Sequence, residues 1–142
     1  VVTKLPSAIE YAAQEAAYPA LTIVDVLAEQ AAISAAYDNQ VLMNVNEGCV
    51  RLAVFEEAYR WHHHPESEEM FLVVQGRLEI DLADGRCLEL APWQSVVIPA
   101  GTIHRTRAVG RTVNLTYEKQ HAHTVFVERT ASASSPVRSR EK

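Results

Sequence analysis

From Gln40 onward the chain is written with a period of two. Short runs of alternating apolar and polar residues follow one another, with turn residues between them. Strands are expected at 41–45 and 50–55 across the turn Asn46-Glu47-Gly48, at 59–64 paired with 69–75, and at 77–82, 87–90, 95–98, 104–108, 112–118 and 124–128. A period of two sends successive side chains to opposite faces, which suits a sheet and not a helix. Leu78, Ile80 and Leu82 alternate strictly with charged residues, the pattern of a half-exposed antiparallel strand, and Asp84-Gly85 makes the hairpin turn after it. So many short strands at close spacing predict an all-β sandwich or closed barrel.

The first third of the chain is different. Residues 7–36 are rich in alanine and hold no glycine. Ser7-Ala8-Ile9-Glu10 has the form of a capping box, and the helix it opens should end before Pro19. A second helix is expected over 22–35, with a strand over 21–27 as the alternative. The division is therefore a helical N-terminal segment at 1–38, a barrel at 39–129 and a small, polar tail at 130–142 that is expected to be disordered. A chain of 142 residues has room for one core.

Charge and hydropathy exclude several classes. The net charge is -5 and the basic residues are scattered, with Arg105, Arg107 and Arg111 the one local cluster, so no nucleic-acid partner is expected. No apolar run approaches the roughly 20 residues of a membrane span. The opening Val1-Val2-Thr3-Lys4-Leu5-Pro6 lacks a signal-peptide pattern, and a cytoplasmic location is expected. Cys49 and Cys87 form no CxxC pair and read as reduced, half-buried small apolar residues.

One segment carries chemistry: Trp61-His62-His63-His64-Pro65-Glu66-Ser67-Glu68-Glu69. Alternation puts His62 and His64 on one face and His63 on the other. Glu69 opens the next strand of the predicted hairpin and can return to the same face. His104, after the turn Pro99-Ala100-Gly101, adds a third imidazole. Neutral imidazole and carboxylate are good ligands for divalent first-row metals, and four protein ligands on an octahedral ion leave two positions open. His121 and His123 repeat the i, i+2 spacing without a carboxylate or tight turn and read as surface histidines, or as a weak adventitious metal site. No nucleophile elbow, P-loop or dinucleotide fingerprint is present.

These motifs resemble those of the small single-domain cupins. His62-x-His64-x4-Glu69-x6-Gly76 matches the second half of the first cupin motif, with Glu56 where its leading glycine belongs. Pro99-x-Gly101-x2-His104 matches the second motif, with Trp93 in place of the first glycine and Ala108 in place of the asparagine. The resemblance spans about 39–118 and implies a double-stranded β-helix, the cupin jelly-roll barrel, with a short α-helical N-terminal segment packed outside it or on a neighbouring subunit. It implies one divalent metal ion (Fe, Mn, Ni or Zn) held by His62, His64, Glu69 and His104, and a homodimer. A non-glycine at Trp93 is expected to change the turn type, a backbone matter that does not touch the ligands.

Strand parity nominates the remaining site residues. Phe71 and Val73 face inward with Glu69, and Thr106 with His104, while Arg105 and Arg107 face out. Arg60 shares parity with His62 and could hold a substrate carboxylate, or emerge at the rim in an ion pair. Tyr59 and Trp61 fall on the outer face with His63. Asn114 lines the cavity if the polar set Thr112, Asn114 and Thr116 faces in; residue parity leaves that open. A mostly apolar metal cavity suits a small organic molecule. The expected function is that of a metal-dependent enzyme, dioxygenase-like or a redox-neutral isomerase, lyase or decarboxylase, in which Glu69 could also move a proton. The alternative is a non-enzymic cupin that binds or senses a small molecule.

Overall fold

Each alternating run finds its partners in one of two antiparallel sheets. The computed structural model describes residues 5–129, so the predicted tail at 130–142 lies outside the described residues. Two short helices, α1 (Ala8–Ala13) and α2 (Val26–Ala31), precede β1 (Tyr37–Val45), β2 (Gly48–Phe55), β3 (His62–His63), β4 (Glu69–Gln75), β5 (Leu78–Leu82), β6 (Cys87–Leu90), β7 (Ser95–Ile98), β8 (His104–Ala108), β9 (Thr112–Lys119) and β10 (Val125–Phe126). The first sheet has the order β1-β2-β9-β4-β7 and the second β10-β3-β8-β5-β6. Early and late strands alternate in two facing sheets, which is the jelly-roll, double-stranded β-helix architecture expected from the sequence.

The first sheet is buried on both faces. Inward, Ala53, Phe55, Phe71, Val73 and Ile98 meet Leu78, Ile80, Leu82 and Leu90 of the second sheet. Outward, Leu42, Leu52, Val54, Val74 and Val113 form a second core under Tyr18, Val24, Val26 and Ile33 of the N-terminal segment. That segment also covers the β1 edge, since the N–H groups of Ala17 and Tyr18 donate to the carbonyls of Val41 and Leu42 at 2.9 and 3.0 Å. The outer face of β5 is charged but still buried. Glu79 and Asp81 lie under Arg105 and Arg107, which pair with them. These two arginines and Arg111, which donates to the Gln30 and Ile33 carbonyls at the end of α2, are engaged by partners within the chain.

Both helices follow their caps. In α1 the Ser7 hydroxyl accepts the Glu10 N–H and the Glu10 carboxylate accepts the Ser7 N–H. The second helix is shorter than the expected 22–35. Asp25 caps it through the Ala28 N–H at 3.1 Å, so it starts at Val26, and it ends at Ala31. Residues 21–25 form no strand; Leu21 adopts a left-handed φ of 65°.

The predicted 59–64 strand is reduced to His62–His63, and it does not form a hairpin with β4. β3 pairs with β8 and β10 in the second sheet, whereas β4 pairs with β7 and β9 in the first. The intervening residues 64–68 cross from one sheet to the other, so His62 and Glu69 approach across the barrel instead of along a hairpin. Parity before His62 is broken as well, because residues 59–61 are not in a strand.

Two turns test the glycine arguments. Gly76 has φ 83°, and a Cβ there would lie 2.5 Å from the Arg111 carbonyl oxygen, so no larger residue fits. Trp93 stands where the second motif has glycine and adopts φ 68°, the conformation glycine would take. The turn is therefore retained, contrary to expectation, and the side chain carries the strain while 71% exposed. Trp93→Gly should raise stability by up to about 1 kcal/mol, because relief of left-handed strain outweighs the added freedom of the unfolded chain. Urea unfolding midpoints of the two proteins measure this; a lower midpoint for the variant would contradict it.

Candidate metal centre

Four buried side chains converge where the two motifs meet. His62 sits on β3 directly opposite His104 on β8, His64 follows just after β3, and Glu69 opens β4 on the facing sheet. One ligand atom from each lies within 4.8 Å of the other three. The Gly101 N–H donates to the His64 carbonyl at 2.9 Å, which ties the Pro99-Ala100-Gly101 turn to the histidine run.

Backbone carbonyls aim the three imidazoles. The Nδ1 atoms of His62, His64 and His104 lie 2.7, 3.1 and 2.8 Å from the carbonyl oxygens of Arg60, His123 and Thr102. A carbonyl can only accept, so each Nδ1 carries the proton and each Nε2 is left to ligate. The Nε2 atoms of His64 and His104 are 3.4 and 3.5 Å from Glu69 Oε1. None of these three atoms has a hydrogen-bond partner although all are buried. Two donors each about 2.1 Å from a shared ion lie about 3.0–3.4 Å apart, so the spacing and the orphaned atoms fit a divalent cation. His62, His64, Glu69 and His104 could hold it.

Charge in the metal-free site follows from burial and neighbours. Burial, with the charge of His104, drops His62 to about 3. Burial would lower His64 too, but the facing Glu69 carboxylate outweighs it and raises His64 to about 9. Burial pushes Glu69 up, yet its contacts with His104 and His64 win and hold it well below the usual carboxylate range.

Beside these four residues is a partly open cavity of about 40 Å³, lined by His62, Glu69, Phe71, Thr106, Asn114 and Thr116 together with Tyr11, Tyr37, Asn39, Ala53, Phe55 and Tyr59. Phe71 and Thr106 therefore stand where parity put them, and Asn114, whose orientation parity left open, joins them. Val73 lies in the adjoining core and does not line the cavity. The polar set of β9 is the inward one, with Thr112, Asn114 and Thr116 buried in the barrel while Val113 joins the outer core. Arg60 and Tyr59 exchange their expected places. Tyr59 turns in, 5.2 Å edge-on to His62, while Arg60 is exposed with its guanidinium 3.7 Å over the Phe126 ring. The cause is the missing strand: before His62 the backbone does not alternate. His121 and His123 are exposed; His121 contacts the Ala12 carbonyl, and His123 contributes its carbonyl to His64.

Sequence reasoning missed a buried network beside the His/Glu cluster. Arg51 Nε pairs with Glu118 Oε2 at 3.0 Å, and the Tyr11 hydroxyl donates to the same oxygen at 2.7 Å. Tyr11 comes from α1, lies 3.6 Å under the Arg51 guanidinium and stacks 6.1 Å from His64. Burial and the charge on Glu69 push Glu118 above the ordinary carboxylate range, and burial with the charge on Glu118 keeps Tyr11 a phenol. Arg51 left a signal, being the lone charge in the apolar run of β2. Tyr11 left none.

The barrel agrees with comparisons to known proteins. The Cupin domain family (Cupin_2) matches residues 49–117. The uncharacterized protein YdbB of Bacillus subtilis (strain 168) is 50% identical over 90 residues, covering 63% of this chain and 80% of that protein. Polyketide synthase CurC of Streptomyces cyaneus is 42% identical over 72 residues, covering 49% of this chain and 46% of that protein. A cupin-2 domain protein from Shewanella frigidimarina NCIMB 400 superposes with a TM-score of 0.64 at 23% identity, covering 68% of this chain and 94% of that chain. The chain belongs to the cupin family. No helix among the described residues is long and apolar enough to cross a membrane.

Two outcomes follow from the electrostatics. The folded value of His64 lies above its ordinary 6.5, so its pairing with Glu69 stabilises the metal-free protein fully below about 6.5 and fades as pH rises through about 9. Metal must displace that proton, so zinc uptake at pH 7.5 should release about one proton per ion and tighten as pH rises toward 9. Calorimetry in buffers of different ionisation enthalpy reads this directly, and a buffer-independent heat would contradict it. Arg51→Met leaves Glu118 and Tyr11 without their cation and should lower stability by about 3–5 kcal/mol in urea unfolding. A loss below about 1 kcal/mol would mean that the pair is not structurally engaged.

Proposed function

We propose that this cupin is a metal-dependent enzyme acting on a small organic molecule, with redox-neutral chemistry preferred over oxygenation. The observation that carries the metal is the set of orphaned, buried side-chain atoms on His64, Glu69 and His104 that meet His62 at the edge of the cavity. Bound there, a divalent ion would act as a Lewis acid toward an oxygen of the ligand. Of the expected ions, Zn, Mn and Ni suit this reading better than Fe.

The preference for redox-neutral chemistry rests on the chain's own proton-holding groups. Tyr11 lines the cavity and shares its hydroxyl proton with Glu118, so an acid–base pair stands beside the ligand in addition to Glu69. Phe55, Phe71 and Tyr59 give the same space an apolar part of its wall. The name of CurC adds a relative associated with the synthesis of organic molecules, although this chain spans about half the length of that protein.

The test is metal content by plasma mass spectrometry on protein purified without affinity-tag nickel, with His62→Ala/His104→Ala beside it. A screen of small hydroxy- and oxo-compounds follows, with oxygen uptake recorded. The expected result is one ion per chain, lost in the variant, and turnover without oxygen consumption. One ion with oxygen-dependent turnover would replace redox-neutral chemistry with oxygenation. One ion without any turnover would favour a binding or sensing cupin. No uptake on reconstitution would overturn the reading.

A further inference from the structure

We infer that the cavity selects a compact ligand bearing a hydroxyl next to its metal-binding group, an α-hydroxy acid or α-hydroxy ketone, with Asn114 and Thr116 as the hydroxyl anchors and Tyr11 as the wall that sets its size. This rests on the metal reading above. Asn114 and Thr116 are 1% and 4% exposed, share the inward face of β9 and line the cavity with His62 and Glu69. Asn114 Oδ1 and Thr116 Oγ1 are buried without a hydrogen-bond partner. Orphaned polar atoms are costly in a folded protein, so a pair of them facing one cavity marks a place for a ligand's polar group.

The chemistry of that group follows from the two atoms. Asn114 Oδ1 only accepts, whereas the threonine hydroxyl donates or accepts. A single ligand hydroxyl satisfies both, donating to Asn114 and accepting from Thr116. An ammonium also donates to Asn114, but it cannot accept from Thr116, and a divalent cation held by one carboxylate repels it. A second anionic group such as phosphate has no counter-charge, since the described lining residues include neither lysine nor arginine.

Size is limited by the far wall. A cavity of about 40 Å³ holds about three water-sized groups, well below the span of ordinary ligand pockets. Tyr11 forms part of that wall and cannot swing away freely. Its ring is held between His64 and the Arg51 guanidinium, and its hydroxyl is held by Glu118.

The experiment uses the full chain loaded with cobalt(II) and follows the visible spectrum during titration with glycolate, acetate, glycine and mandelate. Glycolate should bind about tenfold tighter than acetate or glycine, the worth of about one buried hydrogen bond. That preference should fall to threefold or less in Asn114→Ala/Thr116→Val, as it should in the near-isosteric Thr116→Val alone if the double variant no longer holds one cobalt per chain. Mandelate should bind Tyr11→Ala and not the parent. A glycolate preference of the same size in parent and variants is the metal's own chelation and overturns the inference, as does tighter binding of glycine or equal binding of mandelate by the parent. One cobalt per chain with no such preference leaves the metal reading standing; no cobalt uptake at all removes both.

Discussion

The structure depends on the burial of its first sheet from both sides. Strands β2 and β9 send Ala53, Phe55, Asn114 and Thr116 into the barrel and Leu52, Val54 and Val113 out of it, and all seven are buried. An outer face of that composition cannot stand in water, because each such side chain contributes about 1.5–3 kcal/mol only when covered. The N-terminal segment is therefore part of the domain's core. Its docking through Tyr18, Val24, Val26 and Ile33, together with its bonds to the β1 edge, also fixes where α1 lies. Burial on the outside of the barrel thus decides which side chain of α1 lines the inside.

The His/Glu cluster shows the same dependence of side-chain placement on backbone. None of the three carbonyls that orient the imidazoles belongs to a regular strand: Arg60 precedes β3, Thr102 precedes β8 and His123 precedes β10. A carbonyl inside a ladder is committed to its neighbour strand, while one at a strand end is free to accept from a side chain. The short β3 and the interrupted alternation before it leave the Arg60 carbonyl available to orient His62. The same interruption turns Tyr59 into the cavity and Arg60 out of it.

What could be read from the sequence was what is local. The strands 69–75, 87–90, 95–98 and 104–108 stand at their expected bounds, because the side-chain period and the turn residues are written within a few positions. The four converging residues were legible for the same reason, as an i, i+2 pair and two motif ends. The inward face of β9 was not legible, because Thr112, Asn114 and Thr116 look like an exposed set until the outer face is known to be covered. The sheet assignment of β3 was hidden too, since adjacency in sequence suggested a hairpin where the chain crosses the barrel. Tyr11 meets Glu118 across 107 positions, a contact that no spacing rule anticipates.

That long-range contact separates two roles along the chain. The match to the Cupin domain covers 49–117, which includes His62, His64, Glu69, His104, Asn114 and Thr116. Tyr11, Tyr37 and Asn39, which complete the cavity wall, lie before it. The four converging residues thus lie within the matched part of the barrel, whereas the cavity wall is completed by α1 and by β1, which precede it. Arg51 couples the two parts, since it pairs with Glu118 inside the barrel and also binds the Tyr11 carbonyl and Asn39 Oδ1. A buried guanidinium is tolerated only with its full set of acceptors. The same bonds that satisfy Arg51 therefore tie α1 and β1 together beside the cavity that Tyr11 and Asn39 line.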